Sequence, residues 1–267
     1  MGAGDISYLG MGAALASVLL SLAVYRITRV GLERELLVSV FRMTAQLGLV
    51  GMYITFIFKL NHPAVTIAYL FLMVAVANYS VLRNAGLISA LFAYTFPALL
   101  IAVVSVLGYF FVFVYRPKPL YDAVYLIPVA GMLLGNSMNR TIVTMERFYH
   151  AVQQGRDRYA ALIAMGATVR EAAAPFLKEA YRAGLAPALA NMATMGIAFL
   201  PGMMTGQLLG GSAPLVAVKY QITIVLAIFV STDLASLLCI TFSMRRGFDP
   251  FGFLRADIFK QKGRRRG

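Results

Sequence analysis

Few residues of this 267-residue chain carry groups able to do chemistry, and most of those stand inside apolar runs. Asp233 lies within the apolar run 220–244. An acid at bilayer depth is expensive enough to be a functional candidate by default. It is either a metal or proton ligand or the partner of Lys219 or of an arginine on another span. Asn136 and Asn139, three apart, share one helical face. They line a passage or bond across subunits, the commoner use of buried amides, and Gln46 and Gln221 admit the same two readings. Met203 and Met204, with Met192 and Met195, offer thioethers that suit a soft ion such as Cu(I). Adjacent helical residues point about 100° apart, and methionine readily fills irregular gaps, so packing is the favoured reading. His62 and His150 have no second histidine or cysteine at metal-ligand spacing, so no metal ligand set is legible. Cys239 is the only cysteine and lies in an apolar run, which excludes a disulfide framework. The chain contains no HExxH, no GxSxG and no converging acid–base set. No catalytic residue is expected, and an enzyme is disfavoured.

The elements that must hold these groups follow from composition. Sixty per cent of the residues are apolar and 13% charged, with no tryptophan; a soluble surface of this size needs more charge. The net charge of +13 does not indicate nucleic acid, because the basic residues fall between and after the apolar runs, as in bilayer proteins. Runs at 6–25, 43–58, 63–82, 85–115, 121–139, 185–209 and 220–244 are read as crossings. The first lacks a basic start and a small-x-small site, so it reads as an anchor rather than a cleaved signal. The fourth is too long to stand upright and must tilt or bend at Pro97. The expected fold is all-α, a polytopic bundle of about seven spans. With that count Arg26, Arg29, Arg34, Arg42, Arg83, segment 140–182 and the basic tail share one face. The positive-inside bias then puts the N-terminus outside and the C-terminus in the cytoplasm. No internal repeat is visible, which speaks against an inverted-repeat carrier.

Within the sixth run, Pro201 removes an amide and Gly202 lets the chain open. A helix broken at membrane depth is tolerated where protein or a water-filled cavity covers the freed carbonyls. Pro201, Gly202, Met203, Met204 and Gln207, with Asn136, Asn139 and Asp233, are therefore the candidate pathway or gate; a simple packing kink is the alternative. Segment 140–184 is the only sizeable soluble stretch between crossings. There Gly166 suits the left-handed end of one helix, and Thr168-Val-Arg-Glu171 reads as a capping box that starts the next. Pro175 is expected to interrupt that second helix within two turns, and Pro187 to open the next crossing. The product is a small rigid knob; a surface-lying amphipathic hairpin is the bland alternative. The arginines of the tail either hold anionic lipid or merely fix topology.

The spacing of Ala160-Ala161, Gly166-Ala167-Thr168, Glu171-Ala172 and Pro187 is similar to the loop by which ABC permeases dock into their ATPase subunits. Four stretches resemble the Fet-type iron-export permeases in particular. They are Arg42-xxx-Gln46 with Gly51; Pro128-xx-Gly131-Met132-xx-Gly135-Asn136-x-Met138; the Gly-Ala-Thr loop with Glu171; and Leu200-Pro-Gly-Met-Met-Thr-Gly206 followed by Lys219-Tyr-Gln221. The resemblance runs from about Ser17 to Arg246. It implies one permease domain over 1–267, a homodimer in the cell membrane, and export of a metal ion such as iron. It also implies Gly166, Ala167, Thr168 and Glu171 as the coupling residues. Asp233 departs from the family pattern, in which small uncharged residues stand there. No Walker A string is present, so the chain cradles no ATP by that device. It binds no cofactor itself, and ATP–Mg belongs to a partner ATPase. A receptor or scaffold of similar fold, and an ion-coupled carrier using Asp233, are the alternatives; ATP dependence separates them.

Overall fold

The computed structural model of the chain describes residues 7–119 and 121–260. Among these, ten α-helices follow one another with no strand beyond isolated bridges. They are α1 (Tyr8–Ala16), α2 (Val18–Thr28), α3 (Glu33–Leu60), α4 (Pro63–Asn84), α5 (Phe92–Tyr109), α6 (Ala123–Gln154), α7 (Arg156–Ala164), α8 (Val169–Thr194), α9 (Gly202–Leu209) and α10 (Pro214–Gly247). The fold is the expected all-α membrane bundle. Five stretches are long and apolar enough to cross a bilayer: 8–28, 33–60, 63–84, 89–115 and 214–247. The short run at 43–58 is thus the apolar part of a 28-residue helix. The long fourth run is a 27-residue stretch with a 3₁₀ turn at Ser89–Leu91 and a π-helical turn at Phe110–Tyr115 at its ends, and α5 continues through Pro97. The residues Lys262, Arg264, Arg265 and Arg266 of the tail, read as lipid or topological anchors, lie outside the described residues.

The core forms where α10 packs on α5 and α6, with α4 and α8 closing around α6. Helices α6 and α10 are joined by a ladder of buried hydroxyls: Ser137 with Ser231 at 3.1 Å, Thr141 with Ser236 at 3.4 Å, and Tyr149 with Ser243 at 2.6 Å. Such bonds satisfy polar groups where no water does so. Both members of each pair advance together, so the two helices run parallel. The chain between them must return to its starting side, and α8, the break after it and α9 are the segment that does so.

Two expectations about the region between crossings are corrected. Helix α6 does not end near residue 139 but continues unbroken to Gln154, about 48 Å at 1.5 Å per residue. Pro175 does not interrupt α8, and Pro187 does not begin a new helix; both lie inside one helix of 26 residues. A proline deletes one amide bond and crowds one carbonyl. Here tertiary contact outweighs that loss, because Ala172, Ala173, Phe176, Ala180, Gly184 and Leu185 are buried. The closest approach of α6 and α8 is at Gly184, where an added Cβ would collide with the Thr144 hydroxyl. Gly184→Ala should therefore destabilise the bundle by about 1–3 kcal/mol through overpacking, read as a lower unfolding midpoint in detergent. Adding Thr144→Ala should restore part of that loss.

Candidate functional site: a broken-helix cavity and an exposed knob

Helix α8 ends at Thr194, and α9 begins at Gly202 after a non-helical stretch. Gly196 turns the chain with φ +85°, and its amide donates to the Phe199 carbonyl at 2.9 Å. Pro201 precedes the new helix in extended backbone. The break expected at Pro201-Gly202 is therefore present, but it opens several residues earlier, at Met195. Beside it lies a cavity of about 310 Å³ lined by α6, α8, α9 and α10. Asn136, Pro201 and Met203 line it, together with Met192, Met195 and Gln221. A second cavity of about 340 Å³ holds Gln207 and is walled by Tyr115, Tyr125 and Tyr220. Met132, Met203 and Ile224 border both, so they form the partition between the two spaces. Tyr115 packs at 5.0 Å from Tyr125 and 5.6 Å from Tyr220, an aromatic cluster of the kind that sits at a membrane–water boundary.

The remaining expected residues separate from this group. Neither Asn139, Met204, Gly202 nor Asp233 lines either cavity. Met203 does while Met204 does not, as the 100° offset of neighbours on α9 requires. Asp233 is half-buried and takes a hydrogen bond from the Tyr181 hydroxyl of α8. Its partner is thus neither Lys219 nor an arginine. Among the polar lining residues, Arg140, Asn191 and Thr232 escaped sequence reading. Arg140 reads as the start of a soluble segment, and Asn191 becomes visible only if α8 is carried through Pro187.

Charge in the first cavity is sparse. Arg140 is its single ionised lining residue, and no group of three His, Cys, Asp or Glu gathers among the described residues. Amides and four thioethers (Met132, Met192, Met195 and Met203) make up most of the donor set. Gln221 is 7% exposed, and its Oε1 has no partner among the described residues; the same holds for Oε1 of Gln207 and Oγ1 of Thr232. Buried acceptors left free in this way are available to a transient occupant. The lining thus offers several weak polar contacts rather than one strong one.

At the opposite end of α8 stands the knob. Gly166 has φ +91°; its amide donates to Ile163 at 2.9 Å, and that of Ala167 to Leu162 at 3.1 Å. These two bonds close α7 in a Schellman motif. The capping box follows immediately: Glu171 N–H donates to Thr168 Oγ1 at 3.3 Å, and Thr168 N–H to Glu171 Oε2 at 2.8 Å. Gly166, Thr168 and Glu171 are exposed and Ala167 half-buried. The hydrogen bonds from Thr168 hold the Glu171 carboxyl below its ordinary range.

The knob rests on a strap formed by residues 248–260, which sequence reading missed. Tyr159 of α7 is buried and donates its hydroxyl to the Gly252 carbonyl at 2.7 Å; burial, with Asp249 nearby, pushes its phenol up to about 12. Further along, Ile88 N–H donates to Ile258 O at 3.0 Å, and Lys260 N–H to Gly86 O at 2.8 Å. The strap therefore ties the knob to the end of α10 and to the α4–α5 loop. His150 stacks on Phe259 of the strap at 5.1 Å, and His62 caps α4 through Nδ1 to the Ala64 amide at 3.3 Å. Both histidines are thus structural. Alternating apolar residues around Pro250 and Gly252 were the available signal for the strap.

The helical bundle, with five stretches long and apolar enough to cross a bilayer, defines a multi-pass membrane protein. More particularly, the chain belongs to the Uncharacterised protein family (UPF0014), whose model matches residues 8–248. It is 29% identical to the UPF0014 membrane protein YjkA of Bacillus subtilis, over 90% of this chain and 93% of that protein. With the UPF0014 membrane protein STAR2 of Oryza sativa it shares 34% identity, over 85% and 78% of the two chains. The probable iron export permease protein FetB of Escherichia coli is 24% identical over 98% of this chain and the whole of that one. No solved structure matches the chain.

Two outcomes are expected from these contacts. Asp233→Asn keeps an acceptor for Tyr181 and should leave transport near wild type. Tyr181→Phe strands the carboxylate and should lower stability by about 1–3 kcal/mol, seen as an earlier thermal transition. The lowered Glu171 carboxyl sets a pH dependence. Its contribution to the start of α8 is complete above the ordinary carboxylate range and is lost as pH falls through the depressed value. Amide exchange at residues 169–172, corrected for intrinsic rates, should accelerate in that window for the wild type and stay flat for Glu171→Gln.

Proposed function

We propose that the chain is the membrane-spanning permease subunit of an ABC transporter, driven by a separate cytoplasmic ATPase that docks on the turn at residues 165–171. The observation carrying this reading is that turn itself. A Schellman motif and a capping box stand back to back, exposed at the tip and fastened behind by the strap to α10 and the α4–α5 loop. A load applied at Gly166–Glu171 is thereby carried along α8 to the break beside the cavity. ATP–Mg would be held by the partner, and this chain would bind no cofactor of its own.

The same reading takes two copies of the chain in the cell membrane, each with about seven crossings, the N-terminus outside and the C-terminus in the cytoplasm. Support for the orientation comes from the Gly86–Lys260 and Ile88–Ile258 bonds, which put the loop after Arg83 on the same side as the end of α10. The parallel course of α6 and α10 supports α8–α9 as a crossing. The cargo we propose is a metal ion such as iron moving outward, supported by the name of the Escherichia coli relative and by a cavity of amide oxygens and thioethers. An ion-coupled carrier based on Asp233 is less well supported, since that carboxylate lies outside both cavities.

Affinity purification from native membranes in mild detergent, followed by mass spectrometry, should recover a small ATPase with Walker motifs. If the chain comes down folded and no ATPase accompanies it, the permease reading fails. In the reconstituted complex, Gly166→Ala forces a side chain into the left-handed region, at about 1 kcal/mol of local strain, and Glu171→Ala removes half of the capping box. Each should lower transport per ATP hydrolysed several-fold while membrane insertion stays normal.

A further inference from the structure

Two polar features face outward from a single copy of the chain, one at membrane depth and one running from that depth to the inner boundary. The first is the break after α8. Ile197 is 93% exposed, and Gly196, Ala198 and Leu200 are exposed beside it. Among the described residues no backbone amide reaches the carbonyls of Gly196, Ile197, Ala198 or Leu200. Lipid offers no donor to such groups, so non-helical backbone at this depth requires protein or a water-filled cavity over it. The second is one stripe of α3, where Ser39, Arg42 and Gln46 follow each other at helical spacing along a shallow groove. Neither Arg42 nor Gln46 has a hydrogen-bond or ion-pair partner among the described residues, and Ile57 is the single buried residue of this helix. Helix α3 meets its own bundle at its outer end, through Ile57 against Ala123 and Ile127 and through the Tyr53–Tyr69 hydroxyl bond of 2.8 Å.

Depth matches these two features. Asn61, which ends α3, accepts the Ala123 amide that starts α6, at 3.0 Å, so the two helices share a reference level. Counting about 1.5 Å per residue from that tie, Gln46 on α3 and Asn136 on α6 both lie roughly 20 Å inward. Asn136 lines the cavity beside the break. Hydrogen-bonding character matches as well. Arg42 and Gln46 bring N–H donors. The break and its cavity present free acceptors: the four carbonyls, Gln221 Oε1 at the buried end, and the side-chain oxygens of Asn136 and Asn191. Arg140 is the single charged residue of that lining.

We propose that α3 of one copy lays its Ser39–Arg42–Gln46 stripe over the broken helix of a second copy, so that each passage is walled by both chains. This deepens the two-copy permease proposed above and rests on it for the meaning of the passage. The contact itself does not depend on any ATPase.

Cysteine pairing between differently tagged copies tests it. Cys239, the only cysteine, is first replaced by alanine; Gln46→Cys is carried on one copy and Phe199→Cys on the other, and native membranes are treated with a short bismaleimide. The expected result is a covalent dimer bearing both tags, at least tenfold more abundant than with either variant alone. Linkage confined to chains carrying both cysteines would mean that α3 folds over its own cavity, and would overturn the proposal. So would self-linkage of Gln46→Cys alone. So would the absence of any dimer while a Tyr53→Cys/Tyr69→Cys pair, made within one chain as a folding control, links normally. As a second readout, Gln46→Leu should reduce the dimer fraction about tenfold; a helix facing lipid would leave it unchanged or raise it. A dimer that links normally but never co-purifies with an ATPase would leave this contact standing and remove the permease reading alone.

Discussion

Every backbone amide and carbonyl at bilayer depth must find a partner inside the protein, and this constraint governs the whole molecule. It makes the chain all-helical, because a helix satisfies its own backbone. It turns side-chain hydroxyls into ties between helices, as in the three pairs joining α6 to α10. It also makes the gap between Thr194 and Gly202 informative. A helix that gives up its ladder at that depth loses several bonds, and the fold keeps the gap only where a cavity and covering protein replace them. The break and the cavity beside it are consequences of one requirement.

Mechanical continuity follows from the same economy of loose ends. Helix α8 runs from an exposed turn to the break without interruption, despite two internal prolines. Its near end is fixed by Tyr159, Gly252 and the strap to α10, and its middle by Gly184 lying against Thr144. A displacement at the turn has no soft joint to dissipate it before Met195. The first soft joint it meets borders the cavity, where a change of backbone conformation alters the lining directly.

How much of this was legible in the sequence depended on the range of the interaction concerned. The capping box and the left-handed Gly166 are local devices, and both are present as read from Thr168, Glu171 and Gly166. The broken helix at Pro201-Gly202 and the separation of Met203 from Met204 likewise follow from backbone geometry within a few residues. Pro175 and Pro187 misled because local propensity was weighed without the buried face of α8 that overrides it. For Asp233 the sequence leaves open a metal or proton ligand or a charged partner, because ionisable groups are the partners it makes visible. The actual donor is a tyrosine on α8, more than fifty positions away, and no spacing rule points to it. The strap was missed for a similar reason: its partners are Gly86, Ile88 and Tyr159, and a short aromatic tail shows its role only when those surfaces are assembled.

In the permease proposed above, the cavity's chemistry would also bear on how cargo is held. An ion with a full carboxylate cage would bind tightly and leave slowly, whereas transport needs occupancy that is favourable and brief at several successive positions. Neutral amides provide oxygen donors without a fixed negative charge, and thioethers are softer still. Met132, Met203 and Ile224 separate the two cavities, and methionine is the side chain whose three rotatable bonds let such a partition yield without rebuilding the backbone. Because Met203 sits one residue after the start of α9, movement of the break shifts that partition at once. In that proposal, opening the passage would require only a change in the segment the bundle already leaves unladdered, with the hydroxyl-tied pair α6 and α10 as the fixed wall.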